Sequence, residues 1–249
     1  MKSIISSNDI IHCTKYKGFI GILSSKHFRP SFCLEECTYL DFERMSFVND
    51  KANPILSLAF PVVSFTDLPK DKRAQHYKQF GEYALVMSEK WKIKNKLSPL
   101  FYSDKNFFSA KYGLTKAFDY ILENLEKEED EDKKRITNTY ISFLMMYIKA
   151  FDTDKTCYYN EREWRWIPYH FDQLKMALTK EEYYDQTIKD EENRKIWEDS
   201  NNLLHFDFQD IIKLELPNAK YKKEVIILLA KTFGIDYNLA KKKITIRTT

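Results

Sequence analysis

The sequence predicts a mixed α/β (α+β) fold, and three observations carry that prediction. Segments rich in β-branched and aromatic residues alternate along the chain with segments of helical periodicity, and a longer helical block stands between them. A length of 249 residues is at the upper end of what one hydrophobic core supports, so a single domain over residues 1–249 is expected, with an elaborate helical insert. Glycine occurs only five times, which argues against a sandwich or barrel of many tight turns and excludes a Gly-rich phosphate loop.

The elements follow in order. Asp9 to Cys13 reads as a short strand, and Tyr16 to Ser24 as a helix weakened by Gly18 and Gly21. Pro30 interrupts regular structure, and a helix is expected to resume from Glu35. Ala59 to Phe65 is a β-rich run, Pro69 to Gln79 a helix with proline in its first turn, and Gly81 to Met87 a further strand. Trp91 to Lys96 is expected to be helical and Pro99 to Tyr102 extended. Leu114, Phe118, Ile121, Leu122 and Leu125 form the stripe of a helix packed on a core, and a second stripe runs through Ile136, Tyr140, Phe143, Leu144, Tyr147 and Ile148. The charged segment between the two stripes makes them a helical hairpin, the insert at about residues 106–150. Cys157 to Ile167 suits a strand closed by Pro168, and Phe171 to Ser200 a charged helical stretch without a clean stripe. Asp210 to Leu216 alternates as a strand, Ala219 to Phe233 is a helix ending at Gly234, and Lys243 to Arg247 is a last strand.

Composition narrows the function classes. A formal charge of +3, from 40 basic and 37 acidic side chains, is too small to announce nucleic-acid binding in bulk, so any such contact must come from a local patch. Lys90, Lys92, Lys94 and Lys96 beside Trp91, and Lys220, Lys222 and Lys223 beside Tyr221, continued by Lys241 to Lys243, are the candidate patches. No secretory leader or membrane-spanning run is evident, so a cytoplasmic location without membrane contact is expected. Cys13, Cys33, Cys37 and Cys157 are too scattered for a disulfide framework, and the Cys33-x3-Cys37 spacing fits no strong zinc pattern, so no metal site is expected.

Three segments carry reactive side chains on or beside strands: Ile11 to Thr14, Val63 to Asp67 and Asn160 to Arg165. In an extended strand Glu161, Glu163 and Arg165 share one face, with Arg162, Trp164 and Trp166 on the other. The adjacent carboxylates raise at least one carboxyl pKa unless Arg165 or another cation compensates. Read without a reaction, this is an ion-pair ladder over a tryptophan-lined core. His12, Ser64 and Thr66 are equally compatible with structural roles, and no GxSxG elbow surrounds Ser64, which argues against a hydrolase triad.

The opening I-x-H-x-T pattern, the string Phe28-Arg29-Pro30-Ser31-Phe32-Cys33-Leu34-Glu35-Glu36, the run Pro61 to Pro69, the stretch Tyr83 to Trp91 and the string Tyr159 to Arg165 together resemble the AbiGi family of abortive-infection proteins. That resemblance covers about the first 170 residues and implies a phage-resistance toxin–antitoxin system. The order His-x-Thr, Ser/Thr strand, Glu-x-Glu looks more distantly like ADP-ribosyltransferases, including the DarT-like toxins. It implies an ADP-ribosyltransferase-like mixed sheet and NAD as co-substrate. Carried onto this chain, it gives catalytic roles to Glu163 and Glu161, with His12, Thr14, Arg29 and Ser64 holding NAD or bracing the glutamate. Phe65, Tyr39 and Tyr83 are the candidates for a stacking surface, with core packing the commoner role for such residues. The implied activity is ADP-ribosylation of nucleic acid, RNA favoured, or of protein, with a neighbouring-gene antitoxin or restraining protein as partner. Two other classes compete: a non-enzymatic antitoxin or regulatory binding module, and a ribonuclease built on His12 and the two glutamates.

Overall fold

The computed structural model describes residues 9–37, 57–104, 109–152, 157–168 and 174–247. Its strands are β1 Ile10–Thr14, β2 His27–Phe28, β3 Ser31–Glu36, β4 Ser57–Thr66, β5 Tyr83–Met87, β6 Ser98–Pro99, β7 Phe101–Ser103, β8 Ile148–Ala150, β9 Glu163–Trp166, β10 Leu178–Thr179, β11 Leu204–His205, β12 Ile211–Leu216 and β13 Ile244–Ile246. The α-helices are α1 Tyr16–Ser25, α2 Ala74–Phe80, α3 Glu89–Lys94, α4 Thr115–Lys127, α5 Glu131–Met146, α6 Lys180–Tyr184, α7 Gln186–Glu198, α8 Lys222–Phe233 and α9 Tyr237–Lys242. The fold is the expected mixed α/β class.

A central sheet runs β13-β12-β5-β1-β4-β9-β6, antiparallel apart from the β12–β13 pair. β4 is its pivot. The half from Val63 to Thr66 pairs with β9, while the half from Ser57 to Val62 pairs with β3 and, on its other side, with β10. Between β1 and β4 the pairing is confined to Ile11 opposite Thr66. Where these two strands part, the sheet opens.

Alternation along β4 and β9 sorts side chains by face. Val63 and Phe65 stand opposite Trp166 and Trp164, on the face that packs with Phe19, Leu23, Trp91 and Leu229 of the helical layer. Ser64 and Thr66 stand opposite Arg165 and Glu163 on the other face. A second apolar cluster joins Phe60, Val62 and Ile167 to Phe118 of α4 and to Ile141, Met145 and Met146 of α5.

Several elements depart from the sequence reading. The chain around Glu35 is strand, not helix, because Ser31 to Glu36 pairs with β4 over its whole length. The residues beyond, Tyr39 included, lie outside the described residues, as do those at which the insert was expected to begin. On α5 the stripe through Ile136, Tyr140 and Leu144 faces solvent at 45%, 67% and 55% exposure, and the buried face is carried by Ile141, Met145 and Met146. Both stripes have helical spacing, and the thioether side chains fill the core. Helix α5 stops at Met146, and Ile148, expected on it, begins β8. The strand expected from Cys157 is a short helical turn as far as Glu161, and β9 starts only at Glu163. No described helix is long and apolar enough to cross a membrane.

One glycine fixes a close approach. Gly81 ends α2 at φ +127°, and a Cβ there would overlap the carbonyl of Thr14 on β1. Strain and overlap together predict that Gly81→Ala destabilises the protein by about 2 kcal/mol or more. A thermal melt should show a fall of several degrees; an unchanged midpoint would mean that α2 is not seated on β1.

Candidate functional site

The opening between β1 and β4 is a cleft of about 340 Å³, lined among others by His12, Arg29, Glu35, Ser64, Glu161 and Glu163. The sequence had singled out five of these six for a ligand site. They converge because β1, β4 and β9 are neighbours, although His12 and Ser64 are 52 residues apart and Ser64 and Glu163 are 99 apart.

At the centre Glu163 is buried in a saturated set of contacts. The Ser64 hydroxyl donates to its Oε1 at 2.6 Å, Arg165 Nε donates to the same oxygen at 2.7 Å, and Lys149 Nζ donates to Oε2 at 2.8 Å. Arg165 is itself fully buried, donating also to Glu163 Oε2 at 3.3 Å, to Glu35 and to the Met146 carbonyl. Burial alone would raise the Glu163 pKa, but the Arg165 guanidinium and the Lys149 ammonium outweigh it and hold the carboxyl well below the usual range. Arg165 and Lys149 are in turn held protonated: burial works against each, and the carboxylates beside them prevail. The raised carboxyl is Glu35, because burial there exceeds the relief from Arg165.

Glu161 reaches the same cluster by another route. It closes the short helical turn Tyr158–Glu161, after which Arg162 takes a left-handed conformation at φ 48° and donates to Asp67 at 2.8 Å. The strand geometry predicted for Glu161 is therefore replaced by a kink. Its carboxylate still meets Glu163's partner, since Lys149 also donates to Glu161 Oε2 at 2.9 Å. The Glu161 carbonyl accepts from Thr66 Oγ1 at 2.7 Å, which ties the turn to the end of β4. Lys149 is positioned by β8 pairing with β7 opposite Tyr102, whose hydroxyl accepts the Glu163 backbone N–H at 2.9 Å.

His12 approaches from the other face of the sheet. Its ring lies 5.1 Å from that of Phe28 and 5.5 Å from that of Phe65, and its Nδ1 is 2.9 Å from the Ser64 carbonyl. A carbonyl only accepts, so Nδ1 carries the proton and Nε2 presents a lone pair. Burial lowers the pKa and keeps the ring neutral. His12 also lines an adjoining cavity of about 340 Å³ beneath α1, with Gly21, His27, Arg29 and Trp197. Arg29 stands at both cavities, its guanidinium 5.3 Å from the Trp197 ring.

Other expected residues fall elsewhere. Thr14 is not in the cleft; its hydroxyl lies against Gly18 of α1. Phe65 borders the cleft but is core, packed against Phe28 and Trp91, and Tyr83 packs at a tilt against Tyr16 and Phe19 away from it. The lysine row on α3 is broken, since Lys92 is buried over the Trp164 ring at 4.2 Å. Lys220 lies over Tyr221 at 4.9 Å, and Lys243 over Phe208 at 5.0 Å. Cys13, Cys33 and Cys157 are free thiols, and burial pushes the Cys33 thiol in the cleft up to about 11, so it is protonated at neutral pH. Sequence reasoning did not assign Lys149, Glu35, His76 or Phe80 to the site. His76 and Phe80 were legible as an aromatic pair four residues apart, but only once α2 is known to face the cleft.

Fold and site together define a mixed α/β protein with a buried carboxylate–cation cluster open to a histidine-lined cleft. The family model described as abortive phage resistance protein AbiGi, antitoxin, matches residues 26–215. The chain belongs to the AbiGi family. Comparison with curated proteins and with solved structures gave no match.

Proposed function

We propose that this protein is an NAD-dependent ADP-ribosyltransferase of an abortive-infection system, acting on nucleic acid, with RNA favoured over protein. The observation that carries the reading is the convergence of His12, Ser64 and Glu163 on one cleft, with the Ser64 hydroxyl bracing the Glu163 carboxylate at 2.6 Å. A negative charge fixed by its neighbours before substrate arrives is what a reaction that builds positive charge on a ribose requires. In this scheme the bond from ribose to nicotinamide breaks and nicotinamide leaves with the electron pair. Glu163 holds a ribose hydroxyl as charge develops, the acceptor bonds to the ribose carbon, and Glu161 takes the acceptor's proton. Lys149 yields Glu163 Oε2 to the hydroxyl and stays with Glu161. The neutral His12 Nε2 accepts a hydroxyl of the substrate, and Arg29, at both cavities, meets the pyrophosphate.

A second reading, a non-enzymatic antitoxin or regulatory module, is favoured by the family's description and by the exposed Ile136, Tyr140 and Leu144 on α5. In the enzyme reading a protein encoded by a neighbouring gene restrains the activity. The two separate in one experiment: purified protein is incubated with radiolabelled NAD and total lysate, then treated with ribonuclease, deoxyribonuclease or protease. Label released by a nuclease supports the transferase; absence of labelled product and of NAD consumption supports the binding module.

A further inference from the structure

Helix α2 forms the wall of the cleft facing the carboxylates and contributes His76, Gln79 and Phe80 to it. Apart from the Gln79 contact with Glu161, the helix is anchored away from the cleft. That is done from the other side, where Arg73 Nε donates to the Leu68 carbonyl at 2.7 Å, Tyr77 donates to Glu215, and Arg247 stacks on the Tyr77 ring at 3.7 Å. The cleft side borders the cavity. Phe80 is 41% exposed although it borders the cleft, and its ring centroid is 4.5 Å from that of His76. Burial keeps the His76 ring neutral, its pKa pushed down to about 4. Beside the rings, the Gln79 amide donates to Glu161 Oε1 at 3.4 Å, so an amide and a carboxylate stand together at the edge of an aromatic surface. Lys70, Lys72 and Lys78 are exposed on this segment, and Asp71 is the one acidic residue between Leu68 and Gly81.

An exposed aromatic ring, a donor and an acceptor beside it and exposed lysines on the same segment match one ligand chemistry: a base with its face and edge free, carried on a phosphate backbone. A paired base offers neither its face nor that edge. We propose that α2 is the acceptor platform, on which an unpaired nucleobase of a single strand stacks on the exposed Phe80 ring beside His76, with its edge toward Gln79 and Glu161 and the strand's phosphates toward the lysines of this segment. The inference rests on the transferase reading for its chemistry. Glu161 belongs at once to the platform, through Gln79, and to the reaction centre, through Lys149. A base seated there presents its nucleophilic nitrogen or oxygen to the ribose carbon. The new bond forms there as nicotinamide departs, and the proton lost by the base goes to Glu161.

The test is direct binding by the full chain, without NAD, of fluorescently labelled mixed-sequence single-stranded RNA, single-stranded DNA and the corresponding duplexes, read by anisotropy. Single strands are expected to bind more tightly than duplexes, and the RNA-to-DNA ratio identifies the strand type. Phe80→Ala, checked for an unchanged circular dichroism spectrum, is expected to weaken single-strand binding by about fivefold to a hundredfold, the range for loss of one stacked base, while Phe80→Trp retains it. Absence of single-strand binding by the wild type, or equal binding by Phe80→Ala, would overturn the proposal, as would transfer of label to protein alone. NAD cleavage by the wild type is measured separately. If it is absent while Phe80-dependent binding persists, the transferase reading fails and the platform stands as a single-strand site.

Discussion

Glu163→Gln is expected to lower NAD cleavage by at least about a hundredfold, in hydrolysis and in transfer alike. A preorganised charge acting on a transition state commonly contributes about 3 kcal/mol or more, and about 1.4 kcal/mol is a factor of ten in rate. The carboxamide keeps the shape of the side chain and an oxygen for Ser64 and Arg165. Its NH2 group, however, would face Lys149 Nζ, a donor meeting a donor at a position now held by a 2.8 Å ion pair. The variant therefore loses some stability as well, and rates belong at a temperature well below the melting midpoints of both proteins. Glu161→Gln separates the roles. Glu161 lies on the α2 side of Lys149, so its loss should reduce transfer more than hydrolysis. Unchanged turnover for Glu163→Gln in both assays would return the cluster to a purely structural ion-pair ladder.

The parts of this arrangement that local sequence encodes are those where one pattern has one outcome. β1, β4, β5 and β12 are rich in apolar residues with polar or glycine neighbours, and α8 ends at Gly234 in the left-handed conformation that glycine favours. The pairing of Glu163 with Arg165 follows from the two-residue period of a strand. Lys149 was not legible because Ile148 continues the helical spacing of Leu144, and only tertiary packing ends α5 at Met146 and, past Tyr147, turns Ile148–Ala150 into β8. The kink before β9 was hidden for a similar reason: Arg162, not a glycine, takes the positive φ, held by its bond to Asp67. Strand β3 was missed because Cys33, Leu34 and Glu35 have no strong local preference, and their conformation is set by pairing with β4. Local signals thus placed the reactive residues in order, while long-range pairing brought in the cation that joins the two glutamates.

Replacing Arg165 should have the largest effect on stability. Its guanidinium is fully buried and serves Glu163, Glu35 and the Met146 carbonyl at once. Arg165→Leu fills much of the volume but takes the guanidinium from two carboxylates, leaving Glu163 with Lys149 and Ser64, and leaves a carbonyl without that donor. Removing one partner of a buried ion pair costs about 3–5 kcal/mol, and at about 2–4 °C per kcal/mol for a chain of this size the midpoint should fall by about 6–20 °C at neutral pH. The pH dependence distinguishes stranded charge from lost packing. In the wild type the lowered pKa of Glu163 contributes stability that is fully present above the ordinary carboxyl value of 4.5 and is lost only as pH falls through the folded-state value. Without Arg165, both carboxyls lose the guanidinium that opposes burial while Lys149 remains, so both folded-state pKa values lie higher, with Glu35, already raised, the further up. Protons then bind the folded variant more tightly than the folded wild type, so the gap between variant and wild type should narrow as pH is lowered from 7 toward 4.5. Melting both proteins across that range checks this. A gap that stays constant with pH would assign the loss to packing, and a variant that melts with the wild type at pH 7 would mean that Arg165 does not hold the two carboxylates in the folded protein.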